Sequence, residues 1–150
     1  MKKEIRSAVN FLKNLLRTSN VNDQNLDAFG KKLQELLRVH YRHHWFPDKP
    51  NKGSGYRCLR TCGNRIDPVI LKAGEAAGLG SHTLHIIMPQ ELTIWIDPGE
   101  VSYRIGEEGS ICVLFEQIQA KTCKEEVLAY SNNNAADCFH PRYASTMAMS

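Results

Sequence analysis

His40, His43 and His44 precede Cys58 and Cys62, and imidazole nitrogen with thiolate sulfur is the ligand set that tetrahedral zinc prefers. A zinc site is not the expected outcome, because the two cysteines fall on a segment that reads as strand and loop, and the histidines close a helix. His43 or His44 near that helix end can offset the negative end of its dipole. His40 lies on the apolar stripe and reads as a hydrogen-bonded core histidine. Catalysis would need a nucleophile with a base, or paired carboxylates in a cleft. Glu107-Glu108 falls in a predicted turn and no Ser/His/Asp motif appears, so the chain is expected not to be an enzyme. Gly53-Ser54-Gly55 lacks the Lys-Ser/Thr ending and the preceding strand of a phosphate-binding loop, and reads as a flexible turn that delivers Tyr56. No cofactor is implied.

Two other groups of residues suit recognition rather than catalysis. Along Leu92-Thr93-Ile94-Trp95-Ile96-Asp97, Leu92, Ile94 and Ile96 share the core face, while Thr93, Trp95 and Asp97 point the other way. Tryptophan is enriched at interface hot spots; the competing reading is a second packed layer covering Trp95. The block from Tyr41 to Arg60 carries Arg42, Lys49, Lys52, Arg57 and Arg60 against the single acid Asp48, interleaved with Trp45, Phe46 and Tyr56. An acidic protein patch or phosphate suits it. Stacking of single-stranded RNA is a weaker alternative, since the RNP-type run of glycines and aromatics is missing.

The elements that must position these residues follow from periodicity. Ile5, Val9, Leu12, Leu15 and Leu16 recur at helical spacing between Glu4 and Arg17. Asn22 can cap a second helix with the stripe Leu26, Phe29, Leu33, Leu36, Leu37, His40 and Tyr41, giving an antiparallel hairpin. Prolines and glycines between Phe46 and Gly55 force a loop, after which Tyr56 to Thr61 is expected to be a strand. Asp67-Pro68 starts a third helix over roughly 68 to 77, ended by Gly78. Ser81 starts a short helix, and Leu92 to Asp97, Glu100 to Ile105 and Ser110 to Phe115 alternate as strands. The expected fold is α/β (α+β): a single compact domain over residues 1–116, with an N-terminal helical hairpin and further helices on a small antiparallel sheet. Residues 117–150 include Ser131-Asn132-Asn133-Asn134 and are expected to form a mobile tail.

No stretch reaches the roughly 20 apolar residues of a membrane span, and no signal-type leader is evident. Five cysteines at irregular spacings suit reduced thiols, so cytoplasm and nucleus are the expected compartments. A net charge of +3 does not by itself imply nucleic-acid binding, and neither direct nucleic-acid nor membrane contact is expected.

Two blocks carry a resemblance. Tyr41-Arg42-His43-His44-Trp45-Phe46-Pro47-Asp48-Lys49-Pro50, continuing through Lys52-Gly53-Ser54-Gly55-Tyr56-Arg57-Cys58, resembles box A of the BTG/Tob anti-proliferative family. Pro89-Gln90-Glu91-Leu92-Thr93-Ile94-Trp95-Ile96-Asp97-Pro98, with Glu100-Val101-Ser102-Tyr103-Arg104-Ile105-Gly106-Glu107 and Gly109-Ser110-Ile111-Cys112-Val113, resembles box B. The details are closer to the shorter BTG members than to Tob, over residues 4–116. The resemblance implies a non-catalytic adaptor that binds the Caf-type catalytic subunit of the Ccr-Not deadenylase, promotes messenger-RNA poly(A) shortening and restrains proliferation. Family residues associated with that docking map onto Tyr56, Trp95 and Asp97, with Lys52, Arg57 and Glu100 as secondary contacts. Truncating an aromatic anchor would cost ~2 kcal/mol or more, and Lys52 and Arg57 would mostly tune the encounter rate. The family's C-terminal contact with poly(A)-binding protein is matched only faintly, by His140-Pro141-Arg142-Tyr143 to Met147.

Leu12, Leu15 and Leu16, and again Leu33, Leu36 and Leu37, fit LxxLL, the pattern with which coregulators dock nuclear receptors. That alternative role, with receptors or transcription factors as partners, competes with core packing. Exposing each leucine would cost about 1.5–3 kcal/mol.

Overall fold

The structure, a computed structural model, describes residues 1–117. The expected mobile tail, and the stretch resembling the poly(A)-binding-protein contact, lie outside the described residues. Two amphipathic helices open the chain, α1 (Lys2–Arg17) and α2 (Asp23–Tyr41). Asn22 caps α2 by accepting from the Asn25 amide at 2.8 Å, which satisfies one of the orphan donors of the first turn. Their inner stripes meet as a hairpin, with Ile5, Val9, Leu12 and Leu16 fully buried alongside Leu26, Phe29, Leu33 and Leu37. Leu15 and Leu36 pack partly buried against this core, so both LxxLL runs are occupied by packing.

The loop after α2 ends in a helical turn, α3 (Ser54–Arg57), before the edge strand β1 (Leu59–Cys62). The expected strand from Tyr56 to Thr61 is therefore corrected at its start. Gly53, in the left-handed conformation at φ 76°, reverses the chain, and the Tyr56 and Arg57 amides both bond back to the Gly53 carbonyl at 3.1 and 3.2 Å. The glycine run thus builds a hydrogen-bonded helical turn. Next come α4 (Pro68–Ala76) and α5 (Ser81–Ile87). Asp67 caps α4 at the Val69 amide, 3.0 Å, with Pro68 in the first turn where a missing N–H costs nothing.

Strands β2 (Glu91–Asp97), β3 (Glu100–Ile105) and β4 (Cys112–Glu116) complete a four-stranded sheet in the order β1-β2-β3-β4. β1 and β3 both pair antiparallel with β2. Among the described residues the fold is thus five helices with one sheet, an α+β domain. Alternation works as expected on the inner face, where Leu92, Ile94 and Ile96 join the helical core. The turn from β2 to β3 is tied to α1, because Glu4 is buried and its Oε2 accepts from the Gly99 amide at 2.9 Å. That bond holds the Glu4 carboxyl below its ordinary range. Burial alone would raise it, but the Gly99 amide and the Met1 ammonium 3.0 Å away prevail. No helix among the described residues is long and apolar enough to cross a membrane.

Candidate functional site

Boxes A and B meet around Arg57. Its guanidinium is fully buried, which for an always-charged group demands complete hydrogen bonding. It has it: Nε donates to the Ile96 carbonyl at 2.8 Å, and Nη1 to the His44 and Lys52 carbonyls, both at 2.7 Å. Nη2 donates to the Pro50 carbonyl at 2.9 Å and to Asp97 Oδ1 at 2.8 Å. These five bonds use all the donors an arginine owns. The Trp45 ring lies 5.4 Å from the guanidinium carbon. From the helix side, Tyr41 donates its hydroxyl to the Arg57 carbonyl at 2.5 Å. Burial pushes the Tyr41 phenol well above its ordinary value, so this donor keeps its proton.

Sequence reasoning assigned Arg57 a secondary role in meeting a partner. The structure corrects that: with zero exposure and every donor engaged, Arg57 fastens the box A loop to the end of β2. Asp97, 6% exposed, is the other half of the same ion pair. Nothing in the spacing of one sequence pairs two residues 40 positions apart.

Trp95 shares the outer face with Thr93 and Asp97, as alternation requires, yet it is only 2% exposed. Of the two readings of this residue, the structure shows the packed layer that covers Trp95. Arg104 of β3 lies over the indole at 5.7 Å, and the neighbouring Ser102, opposite Trp95 in register, is buried as well. Glu100, half-buried, pairs in register with Asp97 at the β2–β3 turn.

Tyr56 is the exposed aromatic of the set, at 45%. Its ring stacks on His40 with centroids 4.5 Å apart and planes 10° apart, and on His44 at 3.8 Å and 27°. His40 is thus a surface residue rather than the core histidine expected from the helical stripe. His40 and His44, one helical turn apart, give the phenol a flat platform. Lys52 is exposed, its ammonium 4.4 Å from the centre of the Phe46 ring. The arrangement presents aromatic and cationic groups on a rigid base, which suits protein recognition. Cys58 is a poor ligand because burial pushes its thiol up to about 12, and no cluster of three or more His, Cys, Asp or Glu side chains able to hold a metal occurs among the described residues.

Comparison with known proteins agrees with this architecture. The BTG family model matches residues 1–115. Protein BTG2 of Homo sapiens is 52% identical over 132 residues, covering 83% of this chain and 83% of that protein. Protein BTG1 of Gallus gallus is 49% identical over 144 residues, covering 85% and 84%. Protein Tob1 of Mus musculus is 39% identical over 94% of this chain but only 39% of its own length. The solved BTG/Tob domain of C. elegans FOG-3 superposes with a TM-score of 0.68 over 86% of this chain and 99% of that one, at 19% identity, a likeness of fold. With the family model spanning the whole described domain and two relatives near half identity along most of their lengths, this chain belongs to the BTG family.

Proposed function

We propose that the chain is a non-catalytic adaptor that binds the Caf-type catalytic subunit of the Ccr-Not deadenylase, promotes poly(A) shortening of messenger RNA and restrains proliferation, in cytoplasm and nucleus. The observation that carries this reading is the Tyr56 surface. An exposed phenol stacked on two imidazoles is a rigid aromatic anchor, fixed in place by the buried Arg57–Asp97 pair. Pre-ordering of this kind lowers the entropy lost on association. In this arrangement Tyr56 and Lys52 touch the partner, while Arg57 and Asp97 shape the surface. Trp95 supports it from the layer beneath Arg104. The LxxLL leucines are core side chains, which gives receptor docking no support.

The test is binding of purified wild-type and Tyr56→Ala proteins to a Caf-type deadenylase. An exposed aromatic can be truncated with little loss of stability, so weakening by roughly 30-fold, equivalent to about 2 kcal/mol, with an unchanged circular dichroism spectrum is the expected result. Equal binding by Tyr56→Ala, or none by the wild type, would sink the proposal. Trp95→Ala is the poorer probe, because removing a buried indole costs about 3–5 kcal/mol of stability before any partner is added.

A further inference from the structure

A cleft lies along the outer edge of the sheet, lined by none of the residues that form the Tyr56 surface. β1 is the edge strand, but its outward backbone is already engaged. Asp67 Oδ2 accepts from the Arg60 amide at 3.2 Å, and Cys62 and Arg65 exchange two backbone hydrogen bonds of 2.9 Å. These caps oppose the addition of a further strand. Where the chain turns away towards α4 and α5 it leaves a cavity of about 650 Å³, a size that accommodates inserted side chains.

Ile66, Pro68 and Leu71 give the cavity an apolar surface, and Arg60, Arg65 and His85 stand around them. His85 Nε2 lies 2.9 Å from the Asn64 carbonyl, which ties α5 to the turn between Cys62 and Arg65. Arg60 and Arg65 are exposed, and no carboxylate among the described residues forms an ion pair with either. The one acid in the lining, Asp67, already uses both oxygens on the Arg60 and Val69 amides. An apolar lining beside two guanidiniums that no carboxylate among the described residues pairs fits an apolar side chain carried between carboxylates.

We propose that this cleft docks a short acidic segment of a partner protein, with one apolar side chain against Ile66, Pro68 and Leu71 and flanking carboxylates on Arg60 and Arg65. The domain then has two separate protein-binding surfaces, one at Tyr56 and one here.

The experiment is a titration of the full-length, ¹⁵N-labelled protein with a pentapeptide that has phenylalanine between two pairs of glutamates, followed by amide chemical shifts. Saturable shifts centred on Arg65, Leu71 and His85 are expected. Affinity should fall about tenfold in the Arg60→Gln, Arg65→Gln double variant, whose spectrum otherwise keeps the wild-type pattern, and should fall again with salt. Tyr56→Ala should leave the titration unchanged. Absence of saturable shifts at millimolar peptide, or equal binding of an alanine-centred or lysine-flanked peptide, overturns the proposal. Shifts centred on Tyr56 would do so as well. Equal affinity for free 3-phenylpropionate would make the cleft a small-acid pocket and overturn its assignment to a peptide.

Discussion

Replacing Arg57 by methionine tests the claim that the site is held together from inside. Methionine keeps most of the length and apolar stem but removes five hydrogen bonds, one of them the ion pair with Asp97. At about 1.5–3 kcal/mol per charged bond, simple addition would rival the whole stability of a domain, and bonds that share one side chain are not expected to add. The carbonyls of His44, Lys52 and Pro50 belong to a surface loop and can regain water once the loop loosens. The Ile96 carbonyl and the Asp97 carboxylate, at the buried end of β2, cannot do so cheaply. Removing one partner of a buried pair costs about 3–5 kcal/mol, and that is the expected loss here. Urea unfolding followed by circular dichroism would read it as a lower midpoint at constant slope. Arg57→Lys should recover only part, since an ammonium offers three donors in place of five. A double-mutant cycle with Asp97→Asn should give a coupling of about 1–3 kcal/mol. A loss below about 1 kcal/mol for Arg57→Met would mean that the guanidinium contributes no more than an exposed ion pair and does not hold the site together.

Three further outcomes follow from the geometry. Glu4 is held below its ordinary value of 4.5, so its contribution is complete above that pH and is lost as pH falls through the lower folded value; Glu4→Gln should flatten that acid limb of the stability profile, measured by urea unfolding between neutral and acid pH. Cys58, with its thiol pushed up to about 12, should resist alkylation at pH 8, while the exposed Cys62 and Cys112 react, as peptide mass mapping would record. Gly74→Ala places a methyl carbon 2.6 Å from Leu84 Cδ1 and 3.0 Å from the Leu79 carbonyl where α4 meets α5. The overpacking should outweigh the gain in helix propensity and lower stability by about 1–3 kcal/mol in thermal or urea unfolding.

The elements were legible because each rests on local periodicity and local caps. The leucine stripes of α1 and α2, the Asn22 and Asp67 caps and the alternation of β2 all act within a few residues, and each appears where the sequence places it. Boxes A and B were equally readable, as were the residues they single out. Their roles were not. Alternation puts Trp95 and Asp97 on one face but cannot say whether other groups cover that face, and here Arg104 and the box A loop do so. Helical spacing puts His40 on the apolar stripe, yet the helix ends there and Tyr56 swings round to stack on an exposed ring. Arg57 reads in sequence as surface charge, since burial of a guanidinium is ordinarily prohibitive. It becomes the centre of the site only because carbonyls from three points of one loop, a fourth from β2 and a carboxylate 40 residues away converge on its five donors. That convergence depends on chain segments brought together by folding, and no local pattern encodes it.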